Sequence, residues 1–184
     1  MLKTFYINQQ PIKPGENKQV NLNAYRLPSK TIIEIPVFVY RTEKEGPTVL
    51  LLAGMHGDEI NGIEVLRRMV VGNHLQKFNK GCVIVIPILN IVSFLDSSRE
   101  LPDGRDLNRC FPGTQEGSLG SQIAYDLMNE IIPLIDFGVD FHTGGAKINN
   151  HPQIRCVFDN KKNVELAKLF GAPFTINSSY REKT

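Results

Sequence analysis

The chain has 184 residues, 41% of them hydrophobic and 22% charged, with a formal net charge of +2. That suffices for one globular domain with its own core, and the charge balance argues against nucleic acid or an anionic membrane surface as a partner. Cys82, Cys110 and Cys156 make an odd set without metal-ligand spacing, which disfavours a disulfide framework and favours a reducing compartment.

The N-terminal "MLKTFYINQQPIKPG" has no apolar stretch long enough for a signal peptide or a membrane helix, so the cytoplasm is the expected location. Residues 31–41, "TIIEIPVFVYR", carry the β-branched and aromatic content of a strand, and "EKEGP" supplies the turn that follows. "TVLLLAGM", from Thr48, is almost wholly apolar, as a strand covered on both faces would be. From Glu59 to Val71 the apolar positions Ile60, Ile63, Val65, Leu66 and Met69 follow a helical period, and Gly72-Asn73 stops it.

"CVIVIPIL" is a second buried strand, with Cys82 as core packing, and it ends at Asn90. Residues 91–117 follow neither period and are dense in Asp, Arg, Gly and Pro; loops of that length in compact domains usually serve a function. Residues 118–135 read as a helix with Ser118 or Ser121 as N-cap, and "FGVDFHTGG" as a short strand opening into glycines. "IRCVF", Val164 to Phe170 and "APFTI" add a strand, a helix begun by the solvated pair Lys161 and Lys162, and another strand. Strands alternating with helices predict an α/β domain over residues 1–184, with a mixed, mostly parallel sheet flanked by helices.

Chemistry concentrates in three places. His56 sits where a buried strand ends and Glu59 in the first turn of the next helix, a spacing that lets an imidazole and a carboxylate converge; zinc takes such ligands. The alternative is that Asp58 and Glu59 complement the helix N-terminus while His56 packs. His142 ends another apolar strand, at a position topologically equivalent to that of His56, and Asp140 lies on the same strand face, where it can orient the ring. A core histidine with a loop salt-bridge partner is the plainer reading. His74 and His151 lack this setting and are assigned to the surface. The long loop holds "SSRELPDGRDLNRCFPG", in which Arg99, Arg105 and Arg109 accompany Asp103, Asp106 and Asn108. Arginine forks suit carboxylates and oxyanions, although loop salt bridges around the Pro102-Asp103-Gly104 turn use the same residues.

Taken together, "GMHGDE", "RELPDGRDLNRCFPG" and "DFHTGG", in that order, resemble the zinc carboxypeptidase superfamily and, more closely, its succinylglutamate desuccinylase/aspartoacylase branch. The resemblance implies a zinc carboxypeptidase-like (phosphorylase/hydrolase-like) fold and one zinc ion per chain, held by His56, Glu59 and His142. It also implies that Asn108 and Arg109 hold the free carboxylate of a small substrate and that Arg99 polarises the scissile carbonyl. Asp106 matches the carboxylate that orients the first zinc histidine. The activity implied is hydrolysis of an amide in an N-acyl amino acid or a similar small carboxylate. A carboxypeptidase acting on peptides and a zinc- and anion-binding module without catalysis are the alternatives. The family's general-base glutamate lies on an apolar strand downstream of the third ligand. Glu182, in "SYREKT", does not match it, so residues 1–184 are expected to be the N-terminal part of a catalytic domain, inactive or nearly so alone, with a strand edge left open to self-association.

Overall fold

The structure is a computed structural model that describes residues 2–26, 29–145 and 148–179. Glu182 lies outside the described residues. The chain divides into two compact units, Met1–Ala146 and Lys147–Thr184.

The first unit opens with a small hairpin of β1 (Phe5–Ile7) and β2 (Gln10–Ile12), turned at Asn8 and Gln9, whose φ values of 45° and 60° suit a tight antiparallel connection. β3 (Asn17–Arg26) and β4 (Ile32–Arg41) follow, then β5 (Thr48–Ala53), α1 (Ile60–Val71), β6 (Cys82–Ile86), α2 (Ile91–Leu95), α3 (Leu119–Asp126) and β7 (Phe137–Phe141). The sheet runs β3-β4-β6-β5-β7.

The expectation of a mostly parallel sheet is corrected here. β3 pairs antiparallel with β4, and β4 with β6; only β5, between β6 and β7, makes parallel pairs. The short connection between β3 and β4 allows only an antiparallel pair, whereas the parallel neighbours β5 and β6 are joined through α1. β3 was missed because "NKQVNLNAYR" alternates polar residues with Val20 and Leu22, the pattern of a strand with one solvated face, not of a strand buried on both.

Alternation along β5 and β6 divides the core into two layers. Leu50, Leu52, Ile84 and Ile86 point into one cluster, with Leu101 and Leu107 from the loop, Ile123 of α3 and Ile131 from the turns after it. Ala53 and Val85 point into the other, with Ile63 and Leu66 of α1. Each fully buried Leu or Ile contributes about 1.5–3 kcal/mol relative to exposure. Cys82 packs in the first layer, as expected. Gly62 lets α1 approach β7, since a Cβ there would stand 2.7 Å from the Cβ of Phe141.

The helix expected over residues 118–135 is shorter. Ser118 caps α3, then the turns widen over Leu127–Ile131 and tighten over Ile132–Leu134. Pro133, lacking an N–H and colliding with the preceding turn, explains why a regular α-helix does not continue. The segment 91–117 begins with α2, whose five residues are too few to display a period. In the second unit β8 (Gln153–Cys156) and β9 (Phe174–Asn177) pair in parallel around α4 (Lys161–Phe170), which Asn160 caps and left-handed Gly171 ends. Among the described residues no helix is long and apolar enough to cross a membrane.

One buried polar contact ties the β3–β4 hairpin to α3. Asp126, 5% exposed, accepts hydrogen bonds from the Tyr25 hydroxyl and, at 2.7 Å, from the Asn23 amide. Burial, then this carboxylate, pushes the Tyr25 phenol far up, so it stays a donor at all working pH values. Tyr25→Phe is expected to cost about 1–3 kcal/mol, read from the shift of the denaturant midpoint, because it strips a donor from a buried carboxylate. An unchanged midpoint would show the contact to be worth nothing.

Candidate metal centre

β5 and β7 are parallel neighbours, with Ala53 opposite Phe141, so the chain leaves both strands at the same end of the sheet. His56 follows β5 by one short turn and His142 follows β7 directly. Their ring centroids stand 5.1 Å apart. Glu59 occupies the N-cap position of α1 but caps nothing with its side chain. Its carboxylate lies between the two rings instead, with Oε1 2.7 Å from His56 Nδ1 and Oε2 2.9 Å from His142 Nδ1. The Thr143 backbone N–H donates to the same Oε2 at 2.9 Å.

Each ring also turns its other nitrogen to a carboxylate. His56 Nε2 is 3.1 Å from Asp106 Oδ1, and His142 Nε2 is 2.8 Å from Asp140 Oδ2. A neutral ring with its proton held on Nε2 by a carboxylate presents the Nδ1 lone pair, and both Nδ1 atoms face the same point. Asp106 in turn caps its own loop, accepting the Asn108 N–H at 2.9 Å. Arg99 spans the cluster. Its Nη2 donates to Asp106 Oδ2 at 2.9 Å, and its Nη1 lies 3.3 Å from both Glu59 Oε1 and His56 Nδ1.

The electrostatics follow from these contacts. Burial alone would raise the Glu59 carboxyl, but hydrogen bonds from His142, His56 and the Thr143 N–H outweigh it and hold the group far below the usual carboxylate range. Burial likewise opposes ionisation of Asp106, and the Asn108 N–H, His56 and Arg99 reverse the effect. For His142, burial favours the neutral ring, yet Asp140 and Glu59 push its pKa up to about 10. His56 and Glu59 are buried at 2% and 3% exposure, while His142, at 35%, forms the open side.

One ligand atom from each of His56, Glu59 and His142 lies within 4.8 Å of the others. Two imidazole nitrogens and a carboxylate oxygen, each imidazole backed by a carboxylate, make a donor set that fits zinc with a coordination position left for water. The residues singled out in the sequence are thus largely brought together. Asn108, assigned to the substrate carboxylate, has its amide 3.2 Å from His56 Nε2. Arg109 is exposed at the end of the turn Leu107–Arg109 and, among the described residues, makes no hydrogen bond to the cluster. His74 and His151 are exposed, as assigned. The bracing N–H of Thr143 was missed, since a backbone donor leaves no mark in side-chain chemistry.

The model of the succinylglutamate desuccinylase/aspartoacylase catalytic domain matches residues 45–184. An N-alpha-acetyl-L-2,4-diaminobutyric acid deacetylase from Halomonas elongata is 36% identical over 150 residues, which are 78% of this chain and 43% of that protein. The crystal structure of a succinylglutamate desuccinylase/aspartoacylase from Rhodobacter sphaeroides superposes with a TM-score of 0.78 at 30% identity, covering 91% of this chain and 53% of that one. A metallo-carboxypeptidase from Burkholderia cenocepacia, at 15% identity and a TM-score of 0.67, covers 91% of this chain and 50% of its own and shares the fold. The chain spans about half the length of the relatives it matches. It belongs to the succinylglutamate desuccinylase/aspartoacylase family.

Proposed function

We propose that residues 1–184 are the metal-binding part of a zinc-dependent hydrolase that cleaves the amide bond of an N-acyl amino acid. The observation that carries this reading is the convergence of His56 Nδ1, His142 Nδ1 and the Glu59 carboxylate, with Asp106 and Asp140 behind the two rings. Zinc held there would act as a Lewis acid and make its water a nucleophile near neutral pH. The chain's own residues do the rest. Asp106 and Asp140 keep both imidazoles in the tautomer that offers Nδ1. Arg99, 45% exposed and anchored on Asp106, donates to the substrate carbonyl oxygen as negative charge collects on it. Asn108 and Arg109 hold the substrate carboxylate at the mouth and so orient the amide.

The general base is assigned to none of the described residues, so the 184-residue chain alone is expected to turn over substrate slowly or not at all. The name of the Halomonas elongata relative makes an Nα-acetylated diamino acid the first substrate to try. On a catalytically competent protein, faster turnover of N-acetyl or N-succinyl amino acids than of short peptides would favour the deacylase; the reverse order would favour a carboxypeptidase.

Arg109→Ala is expected to weaken binding of an N-acyl amino acid by about 10- to 100-fold, the loss of a charge-assisted contact, while zinc content stays unchanged. Equal loss of both would contradict the assignment. A second expectation concerns pH. The His142 ring, raised from its ordinary 6.5 to about 10, must give up its proton to a metal ion. Zinc affinity should therefore climb as pH rises toward about 10, by up to about tenfold per unit for one displaced proton. The sign for folding is the opposite: that proton stabilises the metal-free fold fully below pH 6.5 and ceases to do so as pH rises through about 10. Chelator competition across this range measures the first effect, and an affinity indifferent to pH would contradict it.

A further inference from the structure

Asn90 takes no part in the chemistry described above, yet it is completely buried, as is Ser93. A buried amide is expensive unless its donors and acceptor find partners. The Asn90 Oδ1 accepts the Ser93 N–H at 3.1 Å, and its Nδ2 donates to the Met55 carbonyl at 3.3 Å. Met55 immediately precedes His56. On the other side of His56, the Gly57 N–H donates to the Ser98 carbonyl at 2.8 Å, and the Ser98 N–H donates to the Ser93 carbonyl at 3.0 Å.

These bonds close a ring through Asn90, Met55, His56, Gly57, Ser98 and Ser93. His56 sits between two peptides that are both fastened to the segment around α2, and Arg99 follows Ser98 directly. The Ser93 hydroxyl fastens the far side of Arg99 by donating to the Glu100 carbonyl at 2.9 Å. Packing admits no slack, since a Cβ on Gly57 would stand 1.9 Å from the Ser93 carbonyl oxygen. Both residues at the centre of the ring are buried, with Met55 4% and His56 2% exposed.

We propose that Asn90 is a positioning residue for the metal centre: through this ring it sets the place of His56 and, by way of Ser98, the place of Arg99 relative to it. The proposal rests on the zinc reading of the site for its function. The ring itself exists in the metal-free protein and is tested separately there.

The test compares wild type, Asn90→Ala, Asn90→Asp and a packing control, Ile35→Ala, which empties a buried position on β4. Asn90→Asp keeps an oxygen for the Ser93 N–H but turns a carboxylate oxygen toward the Met55 carbonyl in place of the amide donor, and it serves as the second variant if Asn90→Ala fails to fold. In the metal-free chain, amide hydrogen exchange is followed at Gly57 and Ser98. Cobalt(II) is then added as probe, and its visible spectrum and dissociation constant are recorded. In the Asn90 variants the two amides should exchange about five- to tenfold faster, as loss of an ordinary hydrogen bond implies. Their cobalt affinity should fall by about 10- to 100-fold with a changed spectrum, as for loss of an outer partner of a metal ligand. Ile35→Ala should lower thermal stability without altering the spectrum. Unchanged Gly57 exchange and an unchanged cobalt spectrum in the Asn90 variants, or the same changes in Ile35→Ala, would overturn the proposal. Faster Gly57 exchange in a chain whose wild type takes up no cobalt would support the ring and overturn the zinc reading instead.

Discussion

Two strands running side by side in the same direction must release their chains at the same end of a sheet, and the candidate site depends on that constraint. β5 and β7 are such neighbours, in a register that sets Ala53 against Phe141. A histidine placed just beyond each strand then meets its counterpart without any long-range coincidence, and the first residues of α1 bring Glu59 between them. Had β7 paired antiparallel with β5, His142 would have emerged at the opposite end, some five residues of strand away. The apolar sequences that make β5 a strand covered on both faces are therefore also what makes the site possible.

Gathering acids and bases in so small and dry a volume would be costly if each stood alone. Here each charge is answered. Glu59 lies against both rings and accepts a backbone N–H, Asp106 lies against His56 and accepts from Arg99 and its own loop, and Asp140 supports His142. The same contacts that make the metal-free cluster tolerable point both Nδ1 atoms at the carboxylate of Glu59. In the proposed reading, a divalent cation would take over the role that protons and Arg99 play between those donors. Low dielectric around His56 and Glu59, which are 2% and 3% exposed, strengthens every electrostatic interaction made there.

Sequence and structure agree where the physical signal is local. The run from Thr48 to Ala53, the period of α1 and the glycines after His142 each declare themselves in a handful of residues, and "HGDE" placed beside "DFHTGG" makes the three ligand candidates readable from sequence. The bond between Asp140 and His142 was legible too, because residues two apart share a strand face. What escaped was set by tertiary context. β3 alternates polar and apolar residues and resembles a loop until β4 supplies its partner. α2 is shorter than two helical turns. The direction of pairing in half of the sheet depends on which strands become neighbours, which no single segment encodes. Asn90 looked like the end of a strand, and only the surrounding backbone reveals that its amide bridges the Met55 carbonyl, next to His56, and the Ser93 N–H.

The central claim is that His56, Glu59 and His142 hold a metal ion, and elemental analysis of the purified chain tests it most directly. The measurement is made after reloading with zinc, on protein shown to be folded, beside His142→Ala. The account predicts about one zinc per chain in the wild type, as expected of a site with three protein ligands, and loss of that zinc in the variant. A folded wild type without zinc, or a variant that retains it, would contradict the account.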